Sequence, residues 1–323
     1  MDKISIVIPV YNAESTLRKC VESLILDNKK EIEIILVEDQ SKDKSWDLCL
    51  ELQDEFEQVR AIRNANNSGP SYTRNRGINE TTGDLLLFVD ADDWVSCDYI
   101  SCLYHEYKKN ASSLVLCGFE FITEKTGKSK DYLYSNNEEI TVLDSADRYF
   151  KLLDIILIQQ LWNKIFDLQT IKNNQLCFDE TQSIGEDTQF VLDYLRVSNP
   201  KQCVIINKPL YHYIRTEQSL MGSNNKIDLI SGEKRLQQLL EISGENDPTV
   251  SNAYKKAIEH NKSSLIYTIM HSDYSRDEKI NLIKKVCPGE KAERIYHAYN
   301  KIVFKEKLSS KKQTIKSLVT VKR

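Results

Sequence analysis

The first 120 residues alternate short apolar runs with amphipathic segments. The segments between the runs carry apolar side chains at helical spacing, as at Leu17, Cys20, Val21 and Leu24. The runs have the length and continuity of buried strands, and they lie at residues 4–8, 32–37, 59–62, 85–89 and 114–121. This alternation predicts an α/β fold with a mostly parallel sheet covered by helices on both faces.

The pattern between residues 127 and 215 is less regular. Residues 127–137 are polar and predict a loop or hairpin tip, while 144–158 and 186–196 predict helices. Extended segments are expected at 162–166, as a short strand or sheet edge, and at 203–206 and 210–214.

From about residue 228, apolar residues recur at helical spacing again. Breaks are expected at Gly244–Pro248 and at Pro288-Gly289. We therefore predict an α/β domain over residues 1–225, a helical C-terminal region over 226–304 and a basic tail over 305–323.

Composition narrows the class of protein. The chain has 323 residues, of which 41% are apolar and 28% charged, as in ordinary soluble globular proteins. A net charge of −4 argues against general nucleic-acid binding. Eight cysteines without a CxxC pair are typical of reduced thiols in a cytoplasmic protein.

Nothing in the sequence predicts membrane insertion. The N-terminus lacks a signal-peptide pattern, and no apolar run approaches the roughly 18 residues that span a bilayer. A cytoplasmic location is expected. The basic tail is either a solvated segment or a site of attraction to anionic lipid headgroups at the inner face of the plasma membrane.

The fourth strand ends in an acidic cluster. Leu85–Val89 is followed by Asp90, Asp92 and Asp93. The carboxyl end of a strand is where open α/β sheets bind ligands, and three like charges there repel one another unless a cation or a polar ligand compensates them. Such oxygens suit Mg²⁺ or Mn²⁺ bridging to substrate phosphates. The alternative is a polar helix cap.

Two other strands deliver polar groups to the same edge. Tyr11 follows the first strand, which Pro9 is expected to end, and could stack on a base or sugar. Asp39 follows the second strand and could accept from a base N–H or a ribose hydroxyl, or cap the next helix. Arg74 lies one turn into the helix after the Gly69-Pro70 turn, within reach of a nucleotide or diphosphate.

These motifs resemble the family-two glycosyltransferases of the GT-A fold, over roughly residues 3–220. The matching segments are Ile-Val-Ile-Pro-Val-Tyr-Asn at 6–12, Val-Glu-Asp-x-Ser at 37–41, Gly-x-x-x-x-Arg-Asn-x-Gly at 69–77 and Asp-Ala-Asp-Asp at 90–93. The resemblance implies a nucleotide-diphosphate-sugar donor with UDP favoured, Mn²⁺ or Mg²⁺, and transfer with inversion. It places Pro9, Tyr11 and Asp39 around the nucleoside, Arg74 near the nucleotide, Asp90 on ribose or sugar hydroxyls, and Asp92 on the metal.

The resemblance also gives roles to the second half of the domain. Gly185-Glu186-Asp187 is similar to the family's Glu-Asp motif, so Asp187 would be the general base and Glu186 its neighbour; without the family, the pair could simply be acids in a first helical turn. Further candidates are Trp162 for sugar stacking, Lys164 and Arg215 for phosphate, and His212 as a second metal ligand. For Trp162, a place in the core is an equal alternative.

The expected function is a metal-dependent inverting glycosyltransferase, a hexosyl- or N-acetylhexosaminyltransferase. It would move a sugar from a UDP-sugar to a hydroxyl of a growing, lipid-linked glycan in exopolysaccharide or capsule biosynthesis. A nucleotidyltransferase and a non-catalytic nucleotide-sugar-binding partner of another transferase are the alternatives. A homodimer is compatible with the sequence.

Overall fold

One central sheet organises residues 4 to 215. The computed structural model describes residues 2–27, 31–182, 185–215, 231–272, 274–288 and 291–300. The strands are β1 (Ile4–Val10), β2 (Ile32–Glu38), β3 (Val59–Arg63), β4 (Leu85–Phe88), β5 (Trp94–Val95), β6 (Ser113–Thr123), β7 (Lys128–Tyr132), β8 (Ile140–Leu143), β9 (Lys164–Asp167) and β10 (Gln202–Arg215). Their order is β3-β2-β1-β4-β9-β6-β10-β5, with β7 beside β6 and β8 beside β10.

Helices flank this sheet, and further helices form the C-terminal region. They are α1 (Leu17–Ile25), α2 (Ser45–Glu55), α3 (Gly69–Glu80), α4 (Tyr99–Lys109), α5 (Arg148–Asp154), α6 (Leu168–Asn173), α7 (Glu186–Ser198), α8 (Ser231–Ser243), α9 (Pro248–His271) and α10 (Arg276–Val286). The predicted α/β class and the helical C-terminal region are confirmed.

The sheet is parallel only in part. Strands β3, β2, β1 and β4 run parallel, as the alternating pattern predicts. Strand β9 then runs antiparallel to both β4 and β6, and β10 is parallel to β6 but antiparallel to β5 and β8. The segment expected at a sheet edge therefore lies inside the sheet, because β9 joins the parallel half to the mixed half.

Three local predictions are corrected. Pro9 does not end β1, which continues to Val10 with Pro9 opposite Val37 of β2. On its other edge, β1 pairs with β4. There the Val89 N–H donates to the Val7 carbonyl, and Pro9, two residues further along β1, has no N–H with which to continue the pairing. The two extended segments expected at 203–214 are one strand, β10, with a register shift around Pro209.

The third correction concerns the helix expected at 144–158. The helix α5 covers only Arg148–Asp154, and residues 155–161 form a turn. Ile156 in this turn has a φ of 57°, a left-handed conformation that a β-branched side chain disfavours. The helix was predicted too long because Leu157, Ile158 and Leu161 continue the apolar spacing. These side chains are buried, but they belong to a turn and not to a helix.

The chain forms two compact units. One comprises Met1–Ser219 and Gln238–Ser251, the other Leu220–Gln237 and Asn252–Arg323. The second unit has its own core, which contains Ile266, Ile269, Ile280 and Ile283. The predicted boundary at 225/226 and the basic tail at 305–323 lie outside the described residues and stay predictions. Among the residues described, none of the helices has the length and apolar character to span a bilayer.

Close contact between α3 and β1 depends on Gly77. A Cβ added there would lie 2.3 Å from Cγ1 of Val7. Glycine inside a helix is usually less favourable than alanine. The glycine at position 77 is therefore explained by the lack of space for a Cβ and not by helix propensity.

We expect Gly77→Ala to destabilise the protein by about 1–3 kcal/mol, because overpacking outweighs the gain in helix propensity. Urea unfolding measures the change, with Asn79→Ala on the exposed side of α3 as the control. The double variant Gly77→Ala/Val7→Ala should lose less than the two single losses together. A stabilised Gly77→Ala protein would contradict the packing argument.

Candidate active site

The candidate site lies at the carboxyl ends of the adjacent strands β2, β1 and β4. Asp39, Tyr11 and Asp90 follow these strands within two residues of their ends. The loops after β1 and β2 are tied together, because the Asn12 N–H donates to Ser41 Oγ at 3.0 Å and Asn12 Oδ1 accepts from the Lys42 N–H at 2.9 Å. Tyr11 is 46% exposed beside these ties, and its ring is available to a ligand.

Asp39 is buried and caps α3. Its Oδ1 accepts from the Ser68 N–H at 2.9 Å and from Asn64 Nδ2 at 2.7 Å, and its Oδ2 accepts from the Gly69 N–H at 2.8 Å. A carboxylate offers about four acceptor positions, so Oδ2 keeps one for a further donor. The two roles considered for this residue are therefore compatible: it caps a helix, although α3 rather than the helix that follows it, and it retains an acceptor for a base N–H.

The three aspartates after β4 occupy different environments. Asp93 is buried and accepts from Tyr211 Oη at 2.7 Å and from the Ile214 N–H at 2.7 Å. Burial, reinforced by the charges of Asp92 and Asp90, raises the pKa of Asp93 well above its ordinary value. The Asp90 N–H donates to the same tyrosine oxygen at 3.1 Å, so Tyr211 fixes the turn that carries the cluster.

Asp92 is exposed at the mouth of this turn. Despite that exposure, the surrounding protein atoms and the charge of Asp90 raise its pKa to about 6. Within the described part of the chain, no other residue donates a hydrogen bond to its carboxylate, which accepts from its own backbone N–H. Asp92 is thus open to an external ligand.

Arg74 joins these aspartates to α7. Its guanidinium is buried and lies 3.0 Å from Asp90 Oδ1, 3.0 Å from Asp187 Oδ1 and 3.7 Å from Glu186 Oε1. It also lies over the ring of Phe178, 5.6 Å from the centroid. Burial acts to lower the pKa of Arg74, but the charges of Asp187, Asp90 and Glu186 outweigh it and raise the pKa.

The first turn of α7 carries Glu186 and Asp187. The helix begins after Gly185, whose φ of 76° is the left-handed conformation that glycine adopts readily. Aromatic packing holds the helix, since Phe190 stacks on Phe178 at 4.2 Å and meets Phe88 edge-on at 5.8 Å. The end of β4 and the start of α7 are therefore fixed against each other.

Asp187 titrates near neutrality. Burial is the main cause that raises its pKa to about 7, and the charges of Glu186 and Asp90 add to it while Arg74 opposes it. Its Oδ1 is buried against Arg74, while 28% of the side chain remains exposed. The carboxyl thus has one oxygen held inside and a face open to solvent.

Two of the predicted donor-binding residues lie in the core. Trp162 is buried and stacks on Tyr211 with the ring centroids 4.0 Å apart. Lys164 is 0% exposed, and its ammonium donates to the carbonyls of Leu157 at 2.7 Å and Gln160, and to Asn163 Oδ1 at 2.6 Å. Burial lowers the pKa of Lys164 to about 7. This arrangement does not fit the predicted contacts with sugar and phosphate.

His212 has no free ring nitrogen in this structure. Its Nδ1 lies 2.8 Å from Glu120 Oε2, its Nε2 lies 3.0 Å from Ser96 Oγ, and its ring stacks on Trp94 at 3.6 Å. A metal ion at Nε2 would have to displace the Ser96 hydroxyl, whereas a carboxylate on the other ring nitrogen is common in metal-binding histidines, so the metal-binding role of His212 stays a prediction. Arg215 is exposed at the end of β10, and the residues that follow it lie outside the described ranges.

Few side chains are available as ligands for a divalent cation. Within the described residues, no three His, Cys, Asp or Glu side chains are grouped so that they could hold a metal ion. Asp92 is open, and Asp90 has a second oxygen beyond the one that Arg74 contacts. Two carboxylates fit Mg²⁺ or Mn²⁺ when substrate phosphates and water complete the shell.

Sequence reasoning missed three residues that build the site. Tyr211 stands next to the histidine chosen from the same segment, and no periodicity distinguishes the two. Asn64 orients Asp39 from the end of β3, and Phe178 supports Arg74 from a loop. None of these three belongs to a recognisable motif, so tertiary contacts alone reveal them.

Comparison with known proteins decides the family. A family model described as Glycosyl transferase family 2 matches residues 5–167, half of the chain. The chain belongs to glycosyl transferase family 2. The matched region includes β1, β2, α3 and β4, which supply Tyr11, Asp39, Arg74, Asp90 and Asp92.

This family-2 chain spans less than half the length of the first two curated relatives that it matches. Glycosyltransferase GlyA of Streptococcus pneumoniae is 30% identical over 217 residues, covering 66% of this chain and 30% of GlyA. Poly(ribitol-phosphate) beta-glucosyltransferase of Bacillus spizizenii is 28% identical over 295 residues, covering 90% of this chain and 43% of that enzyme.

A solved structure shows the same fold. The S. aureus TarS fragment 1–349 in complex with UDP-GlcNAc superimposes with a TM-score of 0.57 at 18% identity, over 88% of this chain and 71% of that one. At this identity the likeness supports the fold alone.

We expect Arg74→Met to destabilise the protein by about 3–5 kcal/mol at pH 8, because buried carboxylates lose their cation. The pKa of Asp187 is raised, so this carboxyl keeps its proton in the folded state at pH values where the unfolded chain has released it. The free energy of unfolding therefore falls as the pH rises from about 4 through the folded-state pKa of about 7. The loss should therefore be smaller at pH 5.5. Urea unfolding at both pH values measures it.

The matched control is Arg60→Met, which removes an exposed arginine paired with Glu80. It should cost less than about 1 kcal/mol. An equal loss for Arg74→Met at both pH values would show that the guanidinium does not compensate these carboxylates.

Proposed function

We propose that this chain is a metal-dependent, inverting glycosyltransferase that moves a sugar from a UDP-sugar to a hydroxyl of a growing surface glycan. Family membership supports the reaction class. The names of the relatives support a cell-surface acceptor, and the UDP-GlcNAc bound by the TarS fragment supports the donor class. The observation that carries the proposal is the position of Asp187, which faces Asp90 across Arg74 with a pKa of about 7.

Asp187 would act as the general base. An acceptor hydroxyl becomes a good nucleophile as its proton leaves, and a base with a pKa near the working pH removes that proton most effectively. The proton passes from the hydroxyl oxygen to the open oxygen of Asp187, while the same hydroxyl oxygen bonds to the anomeric carbon. Arg74 holds the buried oxygen of Asp187 in place.

The opposite side of the site would receive the diphosphate. A bound Mn²⁺ or Mg²⁺ would neutralise the charge that develops on the departing UDP. Asp92 and the free oxygen of Asp90 are the residues that would hold it. Tyr11 would stack on the nucleobase, and the remaining acceptor position on Asp39 Oδ2 would take a base N–H.

Base and leaving group on opposite sides suit a single in-line displacement. The anomeric centre would invert, so an α-linked donor would give a β-linked product. A lipid-linked acceptor would place the enzyme at the inner membrane face, and the charge of the basic segment 305–323, outside the described residues, supports that placement.

Asp187→Asn should lower transfer about 100- to 10,000-fold, because the amide cannot take the proton. Donor affinity should stay within about threefold. UDP release from a UDP-sugar measures transfer, and thermal shift with UDP and Mn²⁺ measures binding. In the unaltered protein, turnover should fall as the pH drops below about 7, since the base becomes protonated.

Asp193→Asn is the matched control, since Asp193 lies in the same helix and accepts from Gln189 Nε2 at 3.1 Å. Normal turnover by Asp187→Asn would favour a nucleotidyltransferase, which needs no such base. Nucleotide binding without UDP release by the unaltered protein would favour a non-catalytic partner.

Asp92→Ala should abolish the contribution of Mn²⁺ to UDP binding, because the open carboxylate at the mouth is lost. Isothermal titration of UDP with Mn²⁺ and with EDTA measures that contribution. Asp54→Ala, an exposed change on α2, is the control. A preserved Mn²⁺ effect in Asp92→Ala would remove this residue from the metal site.

A further inference from the structure

The turn between α5 and β9, residues 155–160, adjoins the start of α7. The Thr188 hydroxyl donates to the Gln159 carbonyl at 3.5 Å. Thr188 follows Asp187 directly, so Gln159 lies beside the first helical turn that carries the proposed base.

Two wholly buried polar side chains hold the backbone of this turn. Lys164 donates to the carbonyls of Leu157 and Gln160, and Asn163 Nδ2 donates to Leu157 at 3.2 Å and to Cys117 at 3.1 Å. Burial of an ammonium is costly unless its protons are bonded, and here neutral oxygens bond them. A buried lysine amine thus fixes the backbone of this turn.

The turn also stores backbone strain. Ile156 has a φ of 57°, in the left-handed region that β-branched residues rarely adopt. Strain of this kind persists where surrounding contacts enforce it, and it clusters at ligand sites. Lys164 and Asn163 both donate to the carbonyl of Leu157, the residue that follows Ile156.

The polar side chains at the end of the turn are two amides, and Ile155 and Ile156 at its start are partly exposed as well. Gln159 and Gln160 are each partly exposed, and neither side-chain amide has a hydrogen-bond partner within the ranges that the structure describes. A carboxamide both donates and accepts, as a sugar or alditol hydroxyl does, and it carries no charge. Paired amides therefore suit a ligand with several neighbouring hydroxyls.

We propose that the turn at residues 155–160 is an acceptor subsite, in which Gln159 and Gln160 bind hydroxyls of a sugar or alditol and so direct one of them to Asp187. This inference rests on the proposed function. Lys164 and Asn163 are positioning residues for the subsite, because they contact its backbone and not the ligand.

The test compares transfer with hydrolysis in one preparation. UDP release from UDP-GlcNAc and UDP-glucose is measured with Mn²⁺ in water alone, then with D-ribitol 5-phosphate as the alditol probe and with p-nitrophenyl β-D-glucopyranoside as the sugar probe. The variants are Gln159→Ala, Gln160→Ala and the double change. Gln58→Ala, a partly exposed glutamine before β3, is the matched control.

Each single change should lower the ratio of transfer to hydrolysis about five- to tenfold through a higher acceptor KM, the size expected for one hydrogen bond. The control should leave the ratio unchanged, and the accelerating probe shows whether the ligand is an alditol or a sugar. A ratio within twofold of the unaltered protein, a matching rise in donor KM, or an unaltered enzyme that neither probe accelerates overturns the subsite. Absence of UDP release under every condition overturns the proposed function and the subsite together.

Lys164→Met gives a second, independent readout. It should raise the acceptor KM while the donor KM stays within about twofold, provided that circular dichroism shows a folded protein. Should this variant fail to fold, the surface glutamine variants still decide the proposal.

Discussion

The buried guanidinium of Arg74 is the constraint on which the site depends. Carboxylates from the end of β4 and the start of α7 converge on it at 3.0 Å, although these elements lie about a hundred residues apart in sequence. Without a cation between them, burial and mutual repulsion would drive the two elements apart. The arginine therefore sets the distance between the proposed leaving-group side and the base side of the reaction.

The position of Arg74 is itself fixed by packing. Gly77, one turn further along α3, lets the helix approach β1 closely, and Asp39 caps the start of the same helix. The ring of Phe178 packs against the guanidinium and also stacks on Phe190 of α7. The geometry of the candidate site therefore depends on the contact of α3 with the sheet.

The parallel half of the sheet could be predicted because its signals are local. Continuous apolar runs, helical spacing and an abrupt acidic end identify β1, β2 and β4 and the residues that follow them. The core position of Trp162 was one of two sequence alternatives, but the sequence could not decide between them. The places of Lys164 and His212 could not be predicted at all, because they depend on the insertion of β9 between β4 and β6 and on the course of β10. The pairing of strands that are distant in sequence produces no periodic pattern along the chain. From the sequence alone, a polar residue in a buried strand cannot be distinguished from a polar residue in a ligand site.

Asp39 carries a consequence for mutational scans. Its carboxylate closes the first turn of α3 through Ser68 and Gly69 and keeps one acceptor position for the proposed nucleobase contact. A substitution there would loosen the helix that carries Arg74 and remove the proposed base contact at the same time. In a mutational scan, the loss of fitness at this position would therefore combine a loss of stability with a loss of donor binding. Repeating the substitution in a stabilised variant would restore the first and not the second.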